Sequence, residues 1–138
     1  DCVGRLHEIF LNAGVKIVST YDHTNDSLLV DVVQINTAIG NLLKNAIDAS
    51  KVGMLVTIRV SDMDGHLLSI QVRDEGQPLA EEMVEQVFRP FHTQKKDGLG
   101  LGLSVSKSLV ENNGGVLRYV DTPFKCFEII LPSGKELS

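Results

Sequence analysis

Apolar residues recur at helical spacing in several parts of the chain. The strongest pattern runs over Gln34–Ser50 and predicts an amphipathic helix. Its apolar face comprises Ile35, Ala38, Ile39, Leu42, Leu43, Ala46 and Ile47. Weaker patterns predict a first helix that stops at Gly14, a short helix over 79–88, and a last helix from near Gly100 to Asn113.

Alternating hydrophobic segments predict five strands between these helices. They are VKIVSTYD, MLVTIRVS, LLSIQVRD, VLRYVD and KCFEIILP. The second and third segments flank DMDG, which is a typical hairpin signal. Hairpins mixed with helices argue against a purely parallel sheet and favour a mixed α/β architecture.

Composition narrows the class of protein. A chain of 138 residues suits one domain with a real core. The formal net charge of -5 argues against a broad basic face for nucleic acid. No apolar run approaches the roughly 20 residues of a membrane span. Cys2 and Cys126 are far apart and predict free thiols in a reducing compartment, and the four histidines form no metal pair.

Three polar residues interrupt the other side of the strongest helix. Asn41, Asn45 and Asp48 stand at i, i+4 and i+7 and therefore share one stripe. Asparagine is a poor helix former, so two of them one turn apart need a reason. An amide oxygen is a hard neutral ligand that suits Mg²⁺ with its waters and phosphate oxygens. The alternative is an ordinary solvated helix face.

A carboxylate continues the apolar face of the third strand. Asp74 follows Leu68, Ile70 and Val72 in the same alternating phase, so it needs a partner or a ligand. DEGQP then ends the strand. Asp74 could accept a hydrogen bond from an exocyclic amine such as that of adenine. The alternative is a surface turn.

A cationic loop and a glycine run precede the last helix. FRPFHTQKK carries Lys95 and Lys96, which could meet phosphates, although a plain solvated loop would have the same composition. GLGLGL is neither a Walker A loop nor G-x-G-x-x-G. It does lie where a helix begins, and free backbone N–H groups there favour an anion. A flexible hinge is the alternative for these glycines.

Together, NLLKNAIDAS, DEG, FRPF and GLGLGL resemble the N, G1, F and G2 boxes of sensor histidine kinases, in order and in spacing. The resemblance covers about Ile17 to Pro132 and is strongest to nitrogen- and oxygen-sensing kinases. It identifies a catalytic, ATP-binding domain of the wider group that includes gyrase, Hsp90 and MutL. The implied fold is α+β, a two-layer α/β sandwich. A mixed sheet of about five strands is covered on one face by three helices, with ATP under a flexible lid.

The resemblance assigns roles at the metal and the base. Asn45 would coordinate Mg²⁺, with Asn41 beside it. Asp48 would lie in the same cofactor site. Asp74 would hold the adenine amino group. Gly76 would leave room for the adenine ring.

It also assigns the phosphate end of the site. Thr93 and Lys95 would lie in the lid, with Lys95 facing phosphate as a catalytic residue beside Asn41 and Asn45. The end of the lid and the start of the phosphate-binding helix would comprise Gly98, Leu99, Gly100, Leu101, Gly102 and Leu103. Within that segment, Leu101 and Leu103 are expected to pack rather than to contact phosphate.

The implied activity is transfer of the γ-phosphoryl group of Mg-ATP to a histidine on a separate helical dimerisation domain of the same protein, with a response regulator downstream. Related ATPases carry a glutamate at position 41, whereas asparagine cannot act as a general base, which favours transfer over hydrolysis. We expect a catalytic fragment, with residues 1–14 linking to that upstream domain. The parent would be a homodimer, and this domain would be cytoplasmic, without direct membrane contact, in a sensor that can be membrane-anchored.

The chain departs from the pattern of this family at some positions, and other functions therefore stay open. The second glycine of the G1 box is Pro78 here, which fixes φ and removes an N–H. No phosphoacceptor motif surrounds His7, so we expect the acceptor histidine upstream of Asp1. The alternatives are a nucleotide-binding but non-catalytic regulatory module, and an ATPase or serine kinase on the same fold.

Overall fold

The computed structural model describes residues 16–22, 30–50, 53–63, 67–89, 102–121 and 125–132. The strands are β1 (Lys16–Asp22), β2 (Leu55–Met63), β3 (Leu67–Asp74), β4 (Val116–Val120) and β5 (Cys126–Pro132). The helices are α1 (Val32–Ala49), α2 (Glu81–Val84) and α3 (Gly102–Asn112), with a 3₁₀ turn over Gln86–Phe88. All five predicted strands are present, and the predicted first helix lies outside the described residues.

The five strands form one mixed sheet in the order β1-β2-β3-β5-β4. β1 pairs with β2 in parallel, and the other three pairings are antiparallel. The helices pack against one face of this sheet, so the predicted α+β sandwich is confirmed. β3 lies at the centre, which places its last residue between the ends of β2 and β5.

Helix α1 supplies the largest part of the core because its apolar stripe faces the sheet. Six of its residues are buried, namely Ile35, Ala38, Ile39, Leu42, Leu43 and Ala46. The helix begins two residues before the predicted Gln34, although Val32 and Val33 are exposed. Asp31 explains this earlier start, since its Oδ1 accepts a hydrogen bond from the Gln34 N–H at 3.1 Å and caps the helix.

Helix α3 packs along α1 and is held by side-chain hydrogen bonds. The buried Ser106 Oγ donates to the Ala38 carbonyl at 3.3 Å in the middle of the pair. At the far end, the Asn113 side chain accepts from the Asp31 N–H at 2.7 Å and donates to Gln34 Oε1 at 2.9 Å. These bonds fix which end of α3 lies beside which part of α1.

The other face of the sheet carries a buried carboxylate, Glu128 of β5. It accepts hydrogen bonds from Ser69 Oγ at 2.6 Å, Gln71 Nε2 at 2.9 Å and Arg118 Nε at 2.7 Å. Burial raises the pKa of Glu128, but these hydrogen bonds and the charge of Arg118 outweigh burial, so the pKa lies below its ordinary value. Three neighbouring strands are therefore tied together by one charge.

Glu128→Gln should lower the free energy of unfolding by about 2 kcal/mol at about pH 7, since hydrogen bonds to a charged group are stronger than neutral ones. Because the folded-state pKa is depressed, this contribution is complete above the unfolded-state pKa and is lost as pH falls through the folded-state pKa. Urea unfolding of both proteins should therefore show a difference that shrinks toward about pH 3. Glu111→Gln, on the exposed side of α3, is the matched control. A difference that persists unchanged in acid would contradict this account.

The structure also bears on the predictions for the cysteines, the histidines and membrane-spanning segments. Cys126 is a free, buried thiol, as predicted, and burial with the nearby Glu128 raises its pKa to about 11. Cys2 and the four histidines lie outside the described residues. Within the described part, no group of three potential metal-binding His, Cys, Asp or Glu residues occurs. No described helix has the length and hydropathy needed to cross a membrane.

Candidate functional site

The polar stripe of α1 meets the beginning of α3. Asn41 is half-buried, and its Nδ2 donates to the Gly102 carbonyl at 3.4 Å. Asn45 is half-buried one turn further along, and Asp48 is exposed near the end of the helix. The stripe predicted from spacing therefore runs from the first turn of α3 toward the C-terminus of α1.

That C-terminus meets the turn that follows β3. A Cβ on Gly76 would lie 2.7 Å from the Ala49 carbonyl oxygen, so the two segments touch. The axial rise from Asn41 to Ala49 is about 12 Å. The structure thus places two of the predicted clusters at opposite ends of this stretch of α1.

Asp74 is buried on the helix-covered side of the sheet, as its strand phase predicted. Its Oδ1 accepts two hydrogen bonds, from the Gly76 N–H at 2.8 Å and from Lys125 Nζ at 3.0 Å. The side chains of Lys125 and Asp74 are only 8% and 2% exposed. A buried carboxylate is costly without a partner, and this one has both a backbone donor and a cation.

Gly76 has a structural reason to be glycine in addition to the predicted room for an adenine ring. A Cβ there would lie 2.9 Å from Asp74 Oδ1 as well as 2.7 Å from the Ala49 oxygen. Side-chain atoms do not approach other atoms this closely without a shift. The absence of a side chain therefore lets the turn close over Asp74 and donate its N–H to that carboxylate.

Helix α3 begins at Gly102, and the backbone N–H groups in the first turn of a helix have no partner within the helix, an arrangement that favours an anion. Gly102 is exposed, and a Cβ on it would meet no atom of the described residues within 4 Å. The described part of the fold therefore gives no steric reason for glycine at this position. Leu103 packs against the core, as the sequence predicted.

Part of the predicted site lies outside the described residues, and its assignments stay predictions. These residues are Thr93, Lys95, Gly98, Leu99, Gly100 and Leu101. The segment leading toward them is anchored at Phe88, whose ring lies edge-on to Phe127 with centroids 5.8 Å apart. Lys107 Nζ lies 5.6 Å from the centroid of the same Phe88 ring. Phe88, the first residue of FRPFHTQKK, is therefore held against β5 by its contact with Phe127.

The turn after Asp74 is also anchored, in spite of Pro78. The residue after the proline, Leu79, donates its N–H to the Tyr119 hydroxyl at 2.8 Å and packs against the core. Burial, together with the nearby negative charges of Asp121 and Asp74, raises the pKa of Tyr119, and the bond from Leu79 opposes this. The chain thus resumes its hydrogen bonding one residue after the proline.

Lys125 is the residue that sequence reasoning missed. The only signal was a lysine two positions before Phe127 at the start of an apolar strand. Its partner Asp74 is 51 residues away, and the two meet only because β5 pairs with β3. Pairing of Arg73 with Cys126 sets this register.

A family model and a curated relative match most of the chain. The family described as histidine kinase-, DNA gyrase B- and HSP90-like ATPase matches residues 30–135. Sporulation kinase A of Bacillus subtilis (strain 168) is 32% identical over 121 residues, which cover 86% of this chain and 20% of that protein. The chain therefore spans about a fifth of the length of this relative.

Solved structures support the same relationship. The catalytic domain of histidine kinase ThkA superposes with a TM-score of 0.80 at 26% identity, covering 96% of this chain and 88% of that domain. A second ThkA structure, in complex with the response regulator protein TrrA, superposes with a TM-score of 0.76 at 25% identity. That match covers 99% of this chain and 40% of the longer kinase chain.

Proposed function

We propose that this chain, which belongs to the family of histidine kinase-, DNA gyrase B- and HSP90-like ATPases, binds Mg-ATP and donates the γ-phosphoryl group to a histidine on a separate helical domain. The observation that carries the proposal is the arrangement along α1. Asn41 meets the first turn of α3 at one end, and the Ala49 carbonyl meets Gly76 beside Asp74 at the other. A phosphate tail and a base could occupy these two ends.

The residues along the stripe fit a magnesium ion. Asn45 and Asn41 offer neutral amide oxygens, and Asp48 offers a carboxylate further along. A small set of protein oxygens suits Mg²⁺, which keeps waters and binds phosphate oxygens directly. When bound, the ion would neutralise charge on the phosphates. Asn45 would hold it, and the N–H groups at the start of α3 would orient the phosphate tail.

Asn41 favours phosphoryl transfer over hydrolysis. Its amide has no basic form near neutral pH, so it cannot deprotonate a water molecule. Its contact with the Gly102 carbonyl supports a positioning role between α1 and α3. Rate acceleration would then come from holding the γ-phosphate in line with an imidazole, with Lys95 proposed to neutralise its charge.

The partners are proposed from the relatives. Sporulation kinase A is about five times longer than the matched region, and ThkA has been solved with a response regulator. We propose that the acceptor histidine lies on the helical dimerisation domain of the same parent, that the parent is a homodimer and that a response regulator receives the phosphoryl group. We place the domain in the cytoplasm.

The test combines this chain with Mg-ATP labelled at the γ-phosphate, alone and with the histidine-bearing helical domain of the parent added as a separate polypeptide. We expect acid-labile, base-stable label on the added domain and none on this chain. Label on this chain alone would contradict the proposal. Steady phosphate release would instead favour an ATPase, and nucleotide binding without transfer would favour a regulatory module.

A further inference from the structure

We infer that Lys125 is a specificity-determining residue that contacts the nucleotide base together with Asp74. This inference rests on the proposed function and names a second recognition group for the same site. Its basis is a buried ion pair at the base end, between Lys125 Nζ and Asp74 Oδ1 at 3.0 Å.

Lys125 lies on the side of the sheet that faces the proposed ligand. It stands two residues before Phe127 and four before Ile129, both of which are buried in the core under the helices. Alternation along an extended strand places Lys125 on that same side. Asp74 has the equivalent position at the end of β3, in phase with Val72. The two side chains therefore enter the same layer between the sheet and the helices.

Within the described residues, the hydrogen bonds between Asp74, Gly76 and Lys125 leave groups on Asp74 and Lys125 for a base. The Gly76 N–H and Lys125 Nζ both bind Oδ1 of Asp74, and neither of these bonds uses Oδ2. An ammonium has three N–H donors, of which the contact with Asp74 uses one. Lysine is seldom buried without partners, and the side chain here is 8% exposed. The pair thus presents an acceptor and a cationic donor side by side.

Adenine carries the complementary groups side by side. Its exocyclic amine is a donor, and the adjacent ring nitrogen N1 is an acceptor. Asp74 Oδ2 would accept from the amine while Lys125 donates to N1. Guanine offers an acceptor and a donor at the same edge in reversed order, so a comparison of ATP with GTP cannot isolate the role of Lys125. A nucleotide that lacks only N1 can.

The experiment measures, by calorimetry in the presence of Mg²⁺, how tightly the wild-type protein and Lys125→Met bind ATP and 1-deaza-ATP. In 1-deaza-ATP the ring nitrogen N1 is replaced by C–H. The four dissociation constants form a thermodynamic cycle. Wild-type protein should bind 1-deaza-ATP about tenfold more weakly than ATP, the loss of one charge-assisted hydrogen bond. The variant should bind ATP about tenfold more weakly and should show no further loss with the analogue. 7-Deaza-ATP, which keeps N1, should bind both proteins as ATP does.

Lys107→Met is the matched control, because its Nζ lies over the Phe88 ring instead of beside a carboxylate. Lys107→Met should bind 1-deaza-ATP more weakly than ATP by the same factor as the wild-type protein does. If Lys125→Met does not fold, Lys125→Gln replaces it. Glutamine retains a neutral hydrogen-bond donor. The loss of affinity from ATP to 1-deaza-ATP should therefore be smaller in this variant than in the wild-type protein.

Two outcomes would overturn the inference while leaving the proposed function intact. One is wild-type protein that binds ATP and 1-deaza-ATP equally. The other is an analogue penalty that is unchanged in the Lys125 variants, which would make the ion pair purely structural. Failure of wild-type protein to bind ATP at all would instead contradict the proposed function.

Discussion

Asn45→Ala should abolish the Mg²⁺-dependent part of ATP affinity and lower the rate of phosphoryl transfer by about 100-fold, the scale for loss of one group that stabilises developing charge. Asn45 is half-buried on α1, one turn beyond the residue that contacts the start of α3. Alanine is the best helix former, so the substitution should leave α1 intact. The measurements are calorimetric titrations with ATP in the presence of Mg²⁺ and of a chelator, and transfer to the added helical domain.

Asn36→Ala provides the control on the same helix. It makes the same chemical change nine residues earlier, which places it on the opposite side of α1 at 100° per residue. We expect its magnesium dependence to match that of the wild-type protein. Unchanged magnesium dependence in Asn45→Ala would remove the metal role from this residue.

Gly76→Ala should reduce both stability and nucleotide binding. The new Cβ would lie 2.7 Å from the Ala49 oxygen and 2.9 Å from Asp74 Oδ1, so the turn or the end of α1 must shift. Overpacking of this kind costs about 2 kcal/mol in the free energy of unfolding. Any shift also disturbs the N–H that binds Asp74, so ATP affinity should fall about tenfold or more. Urea unfolding and calorimetry measure the two effects.

Gly102→Ala separates an effect on nucleotide binding from an effect on protein stability. In the described part of the chain, no atom lies within 4 Å of the new Cβ, and Gly102 is not among the glycines with positive φ. Stability should therefore be retained or slightly increased, since alanine is a better helix residue than glycine. Weaker ATP binding by this stable variant would indicate close backbone approach to phosphate. Equal stability of Gly76→Ala and the wild-type protein would contradict the steric argument.

Periodicity predicted the local structure well because burial acts on each element separately. As predicted, Asn41 and Asn45 lie off the buried stripe of α1, and Asp74 lies on the helix-covered side of β3. Helix α1 begins earlier than predicted because the side chain of Asp31 caps it, and the pattern of apolar residues does not reveal such a cap. Each of these features depends on neighbours within a few residues.

The order of the strands could not be predicted in the same way. Strand pairing brings together residues that share no local signal, as with Lys125 and Asp74 across β3 and β5. Glu128 shows the same limit, since its position in an apolar strand gives no indication of Ser69 or Arg118 as partners. The sequence therefore indicated which residues need partners but not which partners they find.

The contacts between α1 and α3 hold the pair together at separate points along its length. Hydrogen bonds of 2.7 and 2.9 Å join Asn113 to the start of α1, Ser106 donates to α1 in the middle of the pair at 3.3 Å, and Asn41 donates to Gly102 at 3.4 Å near the proposed phosphate end. The position of the first turn of α3 therefore depends in part on residues far from the proposed site, so a substitution at Asn113 would act on that site at a distance.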